Sequence, residues 1–316
     1  MILTVTMNPS VDTLYELDKL VIDSVNRSSP IKVLGGKGVN AARVASLLGS
    51  RTIVTGFLGG YNGKFFHDHL NSLSPNNPMD DQFVTCNGET RNCITIMHDN
   101  EKQTQINELG PNVKDNELSS LRNKTKTILK NQFIDIVIIS GALPLGLSND
   151  IYYELISFMT ELSPKTKIIL DTSQSVLKDT LKLCSKNNIF PYSIKPNINE
   201  LREIADSDSD DIMKLIKESN MDKIPMVIVS KGNQGCFAKI KSKQFVVTVP
   251  KIEAVNPTGS GDSTVGALAY ALEHGLSDED ILRCSMAAGE SNALEEKIGF
   301  ITQNNYHKYF NKIRVN

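Results

Sequence analysis

The 316-residue chain has no excess of charge of either sign: 34 Lys and Arg stand against 36 Asp and Glu, a formal net charge of −2. Without a basic surplus, neither nucleic acid nor an anionic membrane is expected as the main partner, although local basic clusters can still grip an anionic substrate. No apolar run reaches membrane-spanning length, and the opening Met1-Ile2-Leu3-Thr4-Val5-Thr6 lacks the basic head and long apolar stretch of a signal peptide. A cytoplasmic protein is therefore expected. The five cysteines, Cys86, Cys93, Cys184, Cys236 and Cys284, are odd in number, scattered and free of any Cys-x-x-Cys pair, which argues against a disulfide frame or a zinc site. His67 and His69 are two apart, a spacing that splits them around a helix, and the acidic run 206–211 lacks the spaced ligands and terminal Glu of a calcium loop.

What is present is an alternation of β-rich apolar runs and helical patterns, in a chain 40% hydrophobic and free of repeats or long linkers. Strands are predicted over 2–6, 52–57, 134–139, 167–171, 192–195 and 226–230, several apolar on both faces as buried parallel strands are. Helices are predicted over 38–49, 63–73, 115–131, 149–161, 175–183, 209–219, 260–274 and 278–294, the last opened by Ser277 with Asp280 three residues on. An α/β layered sheet follows. Two stretches, 11–34 and 83–108, carry strand alternation without helices and suit a small β lid.

Two glycine clusters precede helices. Near the C-terminus, Val255-Asn256-Pro257-Thr258-Gly259-Ser260-Gly261-Asp262-Ser263 places a tight turn and one carboxylate at a helix start, where free N–H groups and the positive dipole end suit an anion and Asp262 can act as a base. Near the N-terminus, Gly35-Gly36-Lys37-Gly38-Val39-Asn40 offers close backbone approach, a cation and a two-way hydrogen-bonding amide. Neither has the spacing of a Walker A loop or a dinucleotide fingerprint. Taken alone, each is more often a turn, Asp262 a helix-start carboxylate, and Asp12 a turn residue.

Together with Asn8-Pro9-Ser10-Val11-Asp12, Ser140-Gly141-Ala142-Leu143-Pro144-Leu145-Gly146 and Lys195-Pro196-Asn197-Ile198-Asn199-Glu200, these clusters resemble the ribokinase-like PfkB sugar kinases, in order from residue 2 to about residue 300. The Thr90-Arg91-Asn92-Cys93-Ile94 segment, Gln103-Thr104-Gln105 and Gly110-Pro111 are similar to the branch of that family that phosphorylates ketose phosphates. Asn256 stands where most members carry Asp, a departure this branch shares.

The resemblance implies a three-layer α/β/α fold with a mainly parallel sheet, one kinase domain over 1–316 and the β lid inserted from 11–34 and 83–108. It implies ATP and Mg2+, and a ketohexose monophosphate acceptor: tagatose 6-phosphate first, fructose 1-phosphate as the alternative. By the same resemblance Asp262 is the base and Gly259, Ser260 and Gly261 form the anion hole. Asp12, Gly36, Asn40 and Ser140 cradle the sugar, and Arg27, Lys37 and Arg91 meet its phosphate. Lys195, Asn197, Ser230, Gly232, Gly235, Thr258 and Asn292 bind ATP, and Asn197 and Glu200 order the magnesium, mostly through water. Locally, Asn197 and Glu200 also read as a helix-capping pair and 230–235 as a hairpin loop. A nucleotide-dependent oxidoreductase and a non-catalytic sugar-phosphate sensor stand as readings from other classes. Exposed lid edges suit a homodimer clasped lid to lid.

Overall fold

The strand Ile2–Thr6 has every side chain buried, as a run covered on both faces must. In the computed structural model, which describes residues 1–99 and 102–316, it lies inside an eleven-stranded sheet. Parallel neighbours run outward from it: Thr52–Leu58 on one side, Ile136–Ser140, Lys167–Asp171, Ser193–Ile194 and Met226–Ser230 on the other. Beyond Met226–Ser230 the sheet turns antiparallel through Cys236–Ile240, Lys243–Thr248 and Arg314–Val315.

Alternation along the strands divides the core into two layers. Ile2, Ile136, Ile138 and Ile169 pack with Ala41, Val44, Leu268 and Leu282, on the helices Lys37–Leu47, Ser260–Glu273 and Asp278–Ala293. Leu3, Val5, Val137, Ile139 and Leu170 point the other way, against Leu121, Tyr152, Leu177 and Leu201 on the helices Asp115–Asn131, Ile151–Leu162, Gln174–Asn187 and Ile198–Ala205. Successive residues of a strand face opposite sides, so a wholly apolar strand needs helices on both. The result is the expected three-layer α/β/α architecture. A Cβ on Gly266 would fall 2.3 Å from the carbonyl oxygen of Ala41, so the absence of a side chain there brings two helices together and their N-termini side by side.

A separate four-stranded sheet has the order Ile31–Gly35, Ser10–Glu16, Arg91–His98, Lys102–Asn107, with Ser10–Glu16 parallel to Arg91–His98 and the other pairs antiparallel. It draws on the two stretches that lack helical spacing, but residues 17–30 form no strand, Val84–Thr85 pairs with the main sheet, and residues 100 and 101 lie outside the described residues. The predicted helix 63–73 is found as Gly60–His69 followed by a tighter turn over Leu70–Leu73. Among the described residues no helix is long and apolar enough to cross a membrane.

Candidate active site

Three neighbouring strands of the main sheet end level. Thr6 pairs with Ser140 and Ser140 with Asp171, so the register alone sets these three side by side at the C-terminal edge. One strand further on, Ile194 runs straight into Lys195. Ligands gather at this edge of a parallel sheet because the crossover loops and helix N-termini open there. Asp171 sits between two cations, with Lys37 Nζ 4.0 Å from its Oδ2 and Lys195 Nζ 4.0 Å from its Oδ1. Lys195 also reaches the glycine turn, where a Cβ on Gly261 would lie 3.4 Å from its Nζ. Asp171 is the site residue that sequence reasoning misses; its only local signal is an acid closing the apolar run 167–171.

Two helices begin here without a side-chain cap. Lys37–Leu47 follows Gly36 and Ser260–Glu273 follows Gly259, whose φ of 81° lies in the left-handed region that glycine adopts without strain. A Ser or Asp cap would consume first-turn N–H groups, whereas glycine leaves them to a ligand. The Ser260 N–H is an exception to the expected anion hole: it donates to the Pro257 carbonyl at 3.2 Å, so it is not open to a ligand in this state.

Asn40 Nδ2 donates to Asp262 Oδ2 at 2.9 Å and ties the two helix starts together. Burial first, and the Asp171 carboxylate second, push the Asp262 carboxyl up to about 6, against the pull of Lys37, the Asn40 amide and Lys195. Lys37 is raised, chiefly by Asp171 and then, against burial, by Asp262 and Glu200. A carboxylate poised near neutrality beside two cations can take a proton while the surrounding charge meets an anion.

On the side of the four-stranded sheet, Asp12 accepts from Ser10 Oγ at 2.7 Å, and burial raises its pKa against the pull of Ser10, Arg91 and Arg43. Arg91 starts its strand level with Ser10, and its Nε donates to the Asn8 carbonyl at 3.2 Å. Asn40 Oδ1 is buried with no donor among the described residues, as an acceptor awaiting a ligand hydroxyl would be. Two residues expected on this side lie apart from the others. Ser140 is fully buried and its Oγ donates to Asp171 at 3.3 Å, a floor that orients Asp171 from below. Arg27 lies in the exposed segment 21–30 and makes no ion pair or hydrogen bond to a site residue among the described residues.

On the other side, Asn197 and Glu200 form the capping box of Ile198–Ala205: Glu200 N–H donates to Asn197 Oδ1 at 2.9 Å, and Asn197 N–H to Glu200 Oε2 at 2.8 Å. Asn197 Oδ1 and Glu200 Oε2 are thus engaged at the helix start, leaving Glu200 Oε1 free of it. Residues 230–235 join Met226–Ser230 to its antiparallel neighbour as a hairpin, with Gly232 exposed. Gly235 is buried, its Cβ position 2.1 Å from the Val247 carbonyl oxygen, so the lack of a side chain shapes the turn. Thr258 is exposed, and its N–H donates to Asn256 Oδ1 at 3.0 Å while Asn256 Nδ2 donates to the Glu296 carbonyl at 3.1 Å. Asn256 therefore uses a donor that the more usual Asp would not have.

Asn292, expected beside the adenine, is fully buried with all its polar capacity engaged on the glycine turn. Its Nδ2 donates to the Thr258 carbonyl at 2.9 Å and Ser260 Oγ at 3.2 Å; its Oδ1 accepts from Ser263 Oγ and the Phe300 N–H, both at 3.1 Å. It clamps the turn from behind.

Residues 5–300 match the pfkB family carbohydrate kinases. Tagatose-6-phosphate kinase of Staphylococcus epidermidis is 37% identical across the whole chain and 99% of its own length. Escherichia coli phosphofructokinase-2 superposes with a TM-score of 0.84 in its complex with fructose-6-phosphate and 0.86 in its tetrameric inhibited form, at 25% identity over 98% of both chains. An uncapped pair of helix starts with a carboxylate between them, Lys37 on the first of those helices and Lys195 just past a strand end suit phosphoryl transfer to a hydroxyl, and with the match along nearly all its length the chain belongs to the pfkB family of carbohydrate kinases.

Proposed function

We propose that the chain transfers the γ-phosphoryl group of ATP to a hydroxyl of tagatose 6-phosphate, giving tagatose 1,6-bisphosphate and ADP. The observation that carries the reading is Asp262, held near neutrality between two uncapped helix starts and the Lys37–Asp171–Lys195 array. As the acceptor oxygen bonds to the γ-phosphorus, its proton passes to the Asp262 oxygen that Asn40 leaves free. The bond to the β–γ bridging oxygen breaks, and ADP leaves with the electron pair. The Gly259 and Gly261 amides, with Lys195, stabilise charge developing on the transferred group, where loss of one donor costs about 10²–10³ in turnover.

Asp12, Gly36 and Asn40 hold the sugar, and Arg91 and Lys37 meet its phosphate, where a planar guanidinium grips two oxygens at once. Ser230, Gly232 and Thr258 line the nucleotide side. Among the described residues no group of three or more His, Cys, Asp or Glu is placed to hold a metal. Magnesium is held mainly by substrate phosphates and water with one or two carboxylates. Glu200 through Oε1, with Asn197 beside it, is the pair to hold it, and Lys37 already feels the Glu200 charge. When bound, the ion would neutralise charge on the ATP phosphates.

The whole chain acts as one kinase domain with the four-stranded sheet as its lid, in the cytoplasm, where five free cysteines persist. Val21, Ile22, Val25, Ile31 and Ile106 expose apolar surface on that sheet and its 17–30 connection, Val25 to 72%, which supports a homodimer joined through the lid. A single-chain mass by light scattering would remove the dimer. For the activity, kcat/KM is compared across tagatose 6-phosphate, fructose 6-phosphate and fructose 1-phosphate. The highest value is expected for tagatose 6-phosphate, and a higher one for fructose 1-phosphate would replace this reading with 1-phosphofructokinase activity.

A further inference from the structure

Arg43 lies on Lys37–Leu47 one turn beyond Asn40 and is 2% exposed. Its guanidinium spans two segments far apart in sequence: Nη2 donates to the Leu34 carbonyl at 2.8 Å, and Nη1 donates to the Ile298 carbonyl at 2.6 Å and to that of Gly299 at 3.5 Å. Each segment backs a different half of the site. Leu34 leads into Gly35, whose Cβ position is only 2.1 Å from Asp12 Oδ2, so a shift of Leu34 moves the wall against which the sugar-side carboxylate rests. Ile298 and Gly299 lie behind the glycine turn, with Ile298 Cγ2 and the Gly299 nitrogen each 2.7 Å from the Cβ position of Gly259.

Keeping a cation here is costly. Burial lowers the Arg43 pKa to about 10, opposed by the charges of Asp12 and then Asp262, and Nε has no acceptor among the described residues. Filling the space alone would be served as well by an apolar side chain. What an apolar side chain cannot do is bond both segments at once from one rigid plane.

We infer that Arg43 is a positioning residue that fixes the sugar cradle in register with the phosphoryl-transfer turn. The inference rests on the kinase reading above; Arg43 has its contacts behind both halves, where it supports the groups that meet the reactants. Reactants bound separately on the two halves keep their affinities when the register slips, while transfer between them suffers, since a misplacement of about 1 Å costs up to about a hundredfold.

The test uses Arg43→Met and Arg43→Lys, the latter keeping the charge without the fork. Steady-state kcat and KM are measured for ATP and for the ketohexose phosphate that the wild-type chain turns over best, alongside thermal melting. The expected result is a folded variant with kcat at least tenfold lower, both KM values within about threefold of wild type, and Arg43→Lys between Met and wild type. A folded Arg43→Met with kcat within twofold overturns the inference. So do loss of both affinities in step with kcat, and failure of both variants to fold, since either makes Arg43 a requirement of the fold alone. A wild-type chain that phosphorylates no ketohexose phosphate removes the kinase reading itself, and is told apart because no variant is needed to see it.

Discussion

Asn40 and Asp262, 222 residues apart in sequence, meet through one hydrogen bond of 2.9 Å between the first turns of two helices. The bond occupies one carboxylate oxygen and leaves the other to face a reactant. Replacing Asp262 by Asn keeps an acceptor for Asn40 and removes the base. Turnover is expected to fall by about 10²–10⁴, the usual contribution of a general base. A coupled ADP-release assay measures it, and a loss below tenfold would remove Asp262 from the role.

The same substitution has a pH signature in stability. The folded state binds the Asp262 proton more tightly than the unfolded chain does, its pKa being raised from 3.8 to about 6. Raising pH through that window therefore strips a proton at a cost to folding, and stability from this group is present below it and lost above it. Asp262→Asn is neutral throughout. Its melting temperature is expected to match wild type near pH 4 and to exceed it at pH 7; thermal melts at both values check the sign.

The charges around Asp262 act in opposite directions, which gives a paired test in kcat/KM against pH. Ionised Asp262 is the active form, so activity is expected to rise through about pH 6. Asp171 raises that pKa and Lys37 lowers it. Asp171→Asn is thus expected to move the acid limb to lower pH and Lys37→Met to higher pH, alongside any loss in rate. Limbs that shift the same way in both variants would show that another group titrates there.

Much of this site is legible along the chain because its parts are local. A glycine before a helix, an acid in its first turn and an apolar strand before Lys195 each declare themselves within a few residues. Asp171 does not, since an acid after an apolar run reads as any turn residue until the register of three strands sets it beside Ser140 and between two lysines. Pairing partners likewise escape a linear reading: Ser10–Glu16 lies parallel to Arg91–His98, about eighty residues on, where two alternating stretches suggest nothing about direction. The predicted strand 192–195 contracts to Ser193–Ile194, and the helix Gln303–Phe310 goes unread because only Tyr306 and Tyr309 mark its buried face. Asn292 shows the converse limit, where a matched position places a residue near the nucleotide but only the hydrogen bonds say which way its amide is spent.

Gly35 offers a steric test of the sugar side. With Asp12 Oδ2 2.1 Å from its Cβ position, Gly35→Ala must push the carboxylate aside or move the strand end. The KM for the sugar phosphate is expected to rise at least fivefold with that for ATP within twofold. Equal increases for both substrates would mean that Asp12 is not on the sugar side.

Asn292 separates two roles by which measurement moves. A residue touching adenine would, on replacement, raise the KM for ATP and leave melting unchanged. Asn292 instead satisfies the Thr258 carbonyl and the Phe300 N–H from a fully buried position. Asn292→Leu strands both, together with the fully buried Ser263 hydroxyl that donates to Asn292 Oδ1, and an unpaired buried group of that kind costs about 1–3 kcal/mol. The melting temperature is expected to drop by several degrees, and kcat is expected to fall with it because the Gly259 turn loses its rear support. A raised KM for ATP at unchanged kcat and melting temperature would return Asn292 to the nucleotide.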